Sequence, residues 1–213
     1  MANPDITLYR GDIPAGLSFG PIVAIDTESL GLSFTRDRLC LVQLSAGDGK
    51  AHLVQFTKDD YAAPNLKKLL ADPGVIKLFH FARADLGMLA HYLGIMPKPV
   101  YCTKIASVLT RTFSDKHSLK DLAKELLGID LAKEQQTSDW GAAELKPEQL
   151  NYAASDVLYL HRIRAKLDDM LTREGRTELA KTVFDFLPAR AELDLAGWEN
   201  VDIFAHTPIR RQG

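Results

Sequence analysis

The chain has 213 residues, 46% of them hydrophobic and 25% charged, long enough to bury about 70% of its unfolded surface in one core. Lys and Arg number 26 against 28 Asp and Glu, a net charge of -2, which excludes the overall cationic field that holds long nucleic acid non-specifically. Two cysteines, Cys40 and Cys102, cannot build a disulfide framework or a paired zinc site, and with no leader-like N-terminus and no apolar stretch of about 18 residues the chain reads as cytoplasmic, without a membrane span.

Three apolar runs, Pro21 to Ile25, Leu39 to Leu44 and His52 to Phe56, separated by turns such as Ala46-Gly47-Asp48-Gly49, predict strands in a meander. A short helix is expected over Asn65 to Leu70, stopped by Asp72-Pro73-Gly74. A fourth strand over Val75 to Phe81 and a helix over Ala84 to Leu93, ended by Gly94, follow. From Thr103 the pattern is mostly helical, with Ser118 and Asp121 opening a helix over Leu119 to Leu127 that Gly128 ends. Pro147 suits the first turn of a long helix through Leu150, Ala154, Val157, Leu160 and Ile163. One more helix fits between Thr172 and Leu195, and the tail after Pro208, with Arg210 and Arg211, reads as frayed. The order predicts an α/β or α+β fold, a sheet with helices on its faces, in a single domain. Its core spans about 20–170 and its helical C-terminal extension about 171–205.

The first of these strands ends in Asp26-Thr27-Glu28. Residues two apart on a strand share a face, so the Asp26 and Glu28 carboxylates project together and repel unless a hard cation such as Mg²⁺ neutralises them. A solvated strand end is the alternative. Asp85 falls in the first turn of the helix after the fourth strand, where the helix dipole alone would favour an acid. Tyr152 and Asp156 stand four apart in a helix and share a face, a spacing that a core tyrosine beside an exposed acid also produces.

Taken in order, acid-x-acid on a first strand, an Asp after a later strand and Tyr-x-x-x-Asp on a late helix resemble the DEDD superfamily of 3'-5' exonucleases, in its tyrosine-containing branch. The words Ala24-Ile25-Asp26-Thr27-Glu28, Leu41-Val42-Gln43-Leu44, Ser138-Asp139-Trp140 and Leu150-Asn151-Tyr152-Ala153-Ala154-Ser155-Asp156 are similar to the ribonuclease D-like family. This resemblance covers Ile22 to Arg164. It implies an RNase H-like fold in which Asp26, Glu28, Asp85 and Asp156 bind two divalent ions, Mg²⁺ or Mn²⁺, and Tyr152 orients the attacking water. The chemistry agrees: two ions about 4 Å apart supply the nucleophile, the in-line geometry and charge relief. A phenol with an ordinary pKa near 10 is a poor base at neutral pH, so water positioning is its expected role.

The same resemblance makes Leu32 a wedge between the last two bases and places Thr27, His80 and Phe81 against the substrate, Phe81 by stacking. Leu32 equally fits core filler beside Gly31, and His80 and Phe81 equally fit packing at a strand end. Lys104, Arg111, Lys116, His117 and Lys120 suit either phosphate contact or a solvated helix face. No Gly-rich phosphate-binding word supports a dinucleotide dehydrogenase or an NTPase.

Ribonuclease D-like proteins carry helical HRDC domains after the nuclease. Only about 50 residues follow the Tyr-x-x-x-Asp helix here, so no HRDC domain is expected. Length and helical tail are similar to the nano-RNase C family of short bacterial enzymes. That resemblance implies an exoribonuclease acting at the 3' end of short RNA oligonucleotides, diribonucleotides included, to release 5'-mononucleotides. It also implies a homo-oligomer, an octameric ring, for which Val183, Phe184, Phe186 and Leu187 offer apolar surface unless they fill the core. The alternatives are 3' trimming of longer RNA such as tRNA precursors, and a non-catalytic RNA-binding module, in which acids are usually lost.

Overall fold

A computed structural model describes residues 4–58, 60–131 and 138–206; the tail after Pro208 lies outside them. One six-stranded sheet is built from β1 (Asp5–Arg10), β2 (Ile22–Ser29), β3 (Leu39–Ser45), β4 (Lys50–Gln55), β5 (Ile76–Phe79) and β6 (Val100–Cys102), in spatial order β1-β4-β3-β2-β5-β6. Strands β2, β3 and β4 form the expected antiparallel meander, and β5 and β6 join β2 in parallel. β3 lies at the centre with all seven residues buried, apolar apart from Gln43 and Ser45, so the sheet's middle is covered on both faces. Strands β1 and β6 carry no apolar run long enough to predict them; β1 is held by parallel pairing to β4 and β6 by pairing to β5.

The helices are α1 (Pro64–Ala71), α2 (Ala82–Leu93), α3 (Thr103–Thr110), α4 (Leu119–Leu127), α5 (Pro147–Leu158), α6 (Leu160–Arg173) and α7 (Thr177–Leu193). α4 starts and stops where its end signals lie: the Ser118 hydroxyl accepts from Asp121 N at 3.2 Å, and Gly128 closes it at φ 70°. The long helix expected from Pro147 is two helices. At Tyr159, φ -104° and ψ -6° turn the chain, so α5 lies over β2, β3 and β4 while α6 packs on α3, α4 and β5. Among the described residues no helix is long and apolar enough to cross a membrane.

Gly87 shows how closely α2 approaches the loop after β2. A Cβ there would sit 2.6 Å from the Phe34 ring, so only glycine lets the Leu30 to Arg38 loop rest on this helix. Within that loop Gly31 abuts the Asp37 carboxylate, Ser29 Oγ donates to Gly31 O at 2.6 Å, and Ser33 N donates to Asp37 Oδ2 at 3.0 Å. The loop is thus bonded internally at its base and leaves its tip, Leu32, 92% exposed.

Candidate active site

Alternation along β2 sends Asp26 and Glu28 to one side of its C-terminal end and Thr27 to the other. On the first side α5 lays Asp156 beside them, and carboxylate oxygens of Asp26, Glu28 and Asp156 all lie within 4.8 Å of one another. On the second, Thr27 Oγ1 donates to Asp85 Oδ1 at 2.7 Å, tying the first turn of α2 to the strand. Asp85 feels the charge of Asp26 and adds its own to Glu28 but stands outside the tight trio. The Thr27 hydroxyl, expected to face substrate, is engaged with this carboxylate.

Asp26, Glu28 and Asp85 line a cleft of about 820 Å³, where protein atoms have stripped away much of their water. Burial raises Asp26 from 3.8 to about 7, partly offset by a hydrogen bond with the Thr27 backbone. Glu28 rises from 4.5 to about 10, because the charges of Asp26, Asp156 and Asp85 add to burial. Asp85 and Asp156 also lie well above the usual carboxylate range, through burial and then the charge of Asp26. Gln43, fully buried and paired with Asp26 across the β2–β3 register, donates Nε2 to Asp26 Oδ2 at 3.3 Å, while its Oε1 has no partner among the described residues. Carboxylates crowded in this way hold protons they would shed in water. An oxygen-seeking dication removes both the repulsion and the reason to stay protonated, so the donor set fits Mg²⁺ or Mn²⁺.

Tyr152 hydrogen-bonds Asp156 one turn along α5, and its ring lies 6.1 Å from that of buried Trp140. Burial, followed by the charges of Asp156, Glu28 and Asp26, pushes the phenol above its ordinary 10, so it keeps its proton at neutral pH. β5 ends at Phe79, two residues earlier than expected, because Phe81 adopts a left-handed backbone, φ 64° and ψ 46°, at the entry to α2. That conformation costs a non-glycine residue about 1–2 kcal/mol and leaves the ring 45% exposed on the cleft wall, with Lys104 Nζ 4.1 Å from its centroid. His80 Nδ1 pairs with Thr103 Oγ1 at 2.9 Å. The Thr103 hydroxyl donates its proton to Phe79 O, so His80 Nδ1 is the donor and Nε2 the acceptor. Burial, with Lys104 nearby, lowers His80 to about 4 and keeps it neutral.

Leu32 is far too exposed to be core filler. Arg111 departs from the phosphate reading: it is 1% exposed and donates to Lys116 O at 2.6 Å and to Glu125, a structural clamp between α3 and α4. Gln43 escaped the sequence reading although a lone amide amid Leu41, Val42 and Leu44 marked it. Arg83, Asp194, Glu199 and Asn200, which also line the cleft, carried no such mark.

A sheet whose second strand delivers acids to a helix-borne Tyr–Asp pair defines the class, an exonuclease-type RNase H-like fold. A family model described as 3'-5' exonuclease matches residues 14–172. The ribonuclease D of Granulibacter bethesdensis is 35% identical over 156 residues, covering 73% of this chain and 39% of that protein. The chain spans about 40% of the length of the first curated relatives it matches. The solved structure of Brucella melitensis NrnC is 54% identical with a TM-score of 0.93, over 95% of this chain and 99% of that one. NrnC has also been solved bound to pGG (54% identical, TM-score 0.93, 96% and 100% covered) and with bound Mg²⁺ (53%, 0.92, 95% and 100%). The chain belongs to the 3'-5' exonuclease family, in the group that holds ribonuclease D and NrnC.

Proposed function

We propose that this chain is a divalent-metal-dependent 3'-5' exoribonuclease that hydrolyses very short RNA, diribonucleotides included, to 5'-mononucleotides. The chemistry rests on one observation, the trio Asp26, Glu28 and Asp156 with oxygens within 4.8 Å. The short substrate is supported by 54% identity to NrnC, a protein solved with pGG.

Asp26, Glu28, Asp85 and Asp156 would hold two ions. When bound, the ions supply an activated water, an in-line geometry and charge relief at phosphorus. Glu28 also reaches toward the attacking water or the terminal ribose. Tyr152 keeps its proton on the hydrogen bond to Asp156, which leaves its oxygen lone pairs to accept from that water and orient it. Leu32 projects to part the last two bases, and Phe81, backed by Lys104, offers a stacking face. Thr27 contributes by fixing Asp85. Tyr152→Phe should lower kcat about 100-fold while calorimetry finds Mn²⁺ affinity near the parent's; parental turnover would remove this role.

The octameric ring belongs to the same proposal. Phe184 and Leu187 fill the core, whereas Phe186 and Phe204 pack together at 5.9 Å with 38% and 76% exposure, apolar surface of the kind subunits bury. The deciding measurement is a ladder of 5'-labelled RNAs, from the dinucleotide to a twenty-mer at equal concentration, compared by initial rate. The dinucleotide should be fastest; rates that climb with length would instead favour the trimming of longer RNA.

A further inference from the structure

Beyond α7 the chain turns back on the site. Asp194–Trp198 form a π-helical turn, Gly197 takes φ 93°, and Asp194, Glu199 and Asn200 line the cleft that holds Leu32, Phe81 and the carboxylates. Two arginines sharing one carboxylate hold this segment in place. Arg83, two residues before Asp85 on α2, grips Asp194 with both prongs, Nε to Oδ2 at 2.5 Å and Nη2 to Oδ1 at 2.7 Å, and Nη2 also donates to Glu199 O at 2.5 Å. Arg190, one turn before Asp194 on α7, donates to Asp194 Oδ1 at 2.5 Å, to Trp198 O at 2.7 Å and to Val201 O at 3.2 Å. The Asp194 side chain is 1% exposed.

Bidentate, charge-assisted bonds in a buried setting are strong, and here they also satisfy carbonyls left over at a helix end. The helix that carries Asp85 and the segment that walls the cleft are therefore one mechanical unit. We propose that Arg83, Asp194 and Arg190 form a staple that fixes residues 198–201 as the outer wall of the cleft and thereby sets the preference for short RNA. The inference rests on the short-RNA reading and names the part of the chain that enforces it. A dinucleotide makes all its contacts inside the cleft, so it loses most when the wall swings away. A longer strand finds further contacts outside the cleft and is the substrate that a fixed wall obstructs. Arg190 and Asp194 act as positioning residues, through Glu199 and Asn200.

Arg190→Met tests the staple and leaves Asp194 paired with Arg83. Hydrogen exchange of residues 198–201 should accelerate. KM for a diribonucleotide should rise about tenfold with kcat near the parent's, while kcat/KM for a heptanucleotide holds or increases. Arg190→Lys, which keeps a cation without the fork, should recover part of the preference. Should Arg190→Met fold poorly, Glu199→Ala and Asn200→Ala trim the exposed wall itself and should move the dinucleotide-to-heptanucleotide ratio the same way. Faster exchange with an unchanged ratio, equal losses on both substrates, or an unchanged ratio in both wall variants overturns the staple. Parental rates that rise with length overturn the short-RNA reading and the inference with it.

Discussion

Asp26→Asn is expected to lower exonuclease turnover by about 1,000-fold and, in the metal-free protein at pH 8, to raise the melting temperature. Losing one carboxylate from a two-ion site removes several kcal/mol of transition-state charge stabilisation, which sets the first figure. The second follows from the cost of the cluster itself. Asp26 sits where burial lifts it to about 7, and its charge helps lift Glu28 to about 10, so at pH 8 the folded state bears a desolvated, repelling group that the unfolded chain does not. An amide of the same shape removes that cost at about 2–4 °C per kcal/mol for a chain of this size. Calorimetric titration with Mn²⁺ should show weakened binding. A variant that is slow but no more stable without metal would mean that the carboxylates are not under the electrostatic stress assigned to them.

Metal-free protein should lose stability as pH rises from 5 to 9, and Mg²⁺ or Mn²⁺ should restore it chiefly at the alkaline end. A carboxyl group whose folded pKa lies above its unfolded value keeps its proton in the native state where the unfolded chain has released it. The stability it contributes is fully present below the unfolded values, 3.8 for Asp26 and 4.5 for Glu28, and is lost as pH climbs through about 7 and about 10. Asp26 alone accounts for a loss on the order of 3 kcal/mol between pH 5 and 9. A dication at about 100 times its dissociation constant returns about 2.7 kcal/mol, and at pH 5 protons compete for the same oxygens. Melting curves at pH 5 and 8, with chelator and with excess Mn²⁺, check this. Equal metal-induced shifts at both pH values would exclude the acid cluster as the binding site.

Much of the site was legible because its parts are local words on predictable elements. Acid-x-acid needs only period-two alternation to bring Asp26 and Glu28 to one face, and Tyr-x-x-x-Asp needs only the helical repeat to join Tyr152 to Asp156. Ser118 and Gly128 bounded α4 for the same reason, since a cap is a contact between near neighbours. Phe81 was harder. A left-handed phenylalanine violates local preference, and only the packing around it could pay for that. Thr27, Arg111 and Gln43 took their roles from partners 58, 14 and 17 residues away, and no spacing rule reaches so far. Arg83 and Asp194 lie 111 residues apart, and their ion pair wrote no word at all.

By itself, then, the sequence determined a sheet with helices on its faces and set Asp26 beside Glu28 and Tyr152 beside Asp156, because periodicity and turn chemistry act between residues a few positions apart; joining these pairs with Asp85 into one site came from the resemblance to the exonuclease family. Tertiary structure decided which carboxylates form the tight trio, how far burial lifts them, and which distant segment walls the cleft. Desolvation and long-range ion pairing depend on what the folded chain brings together in space.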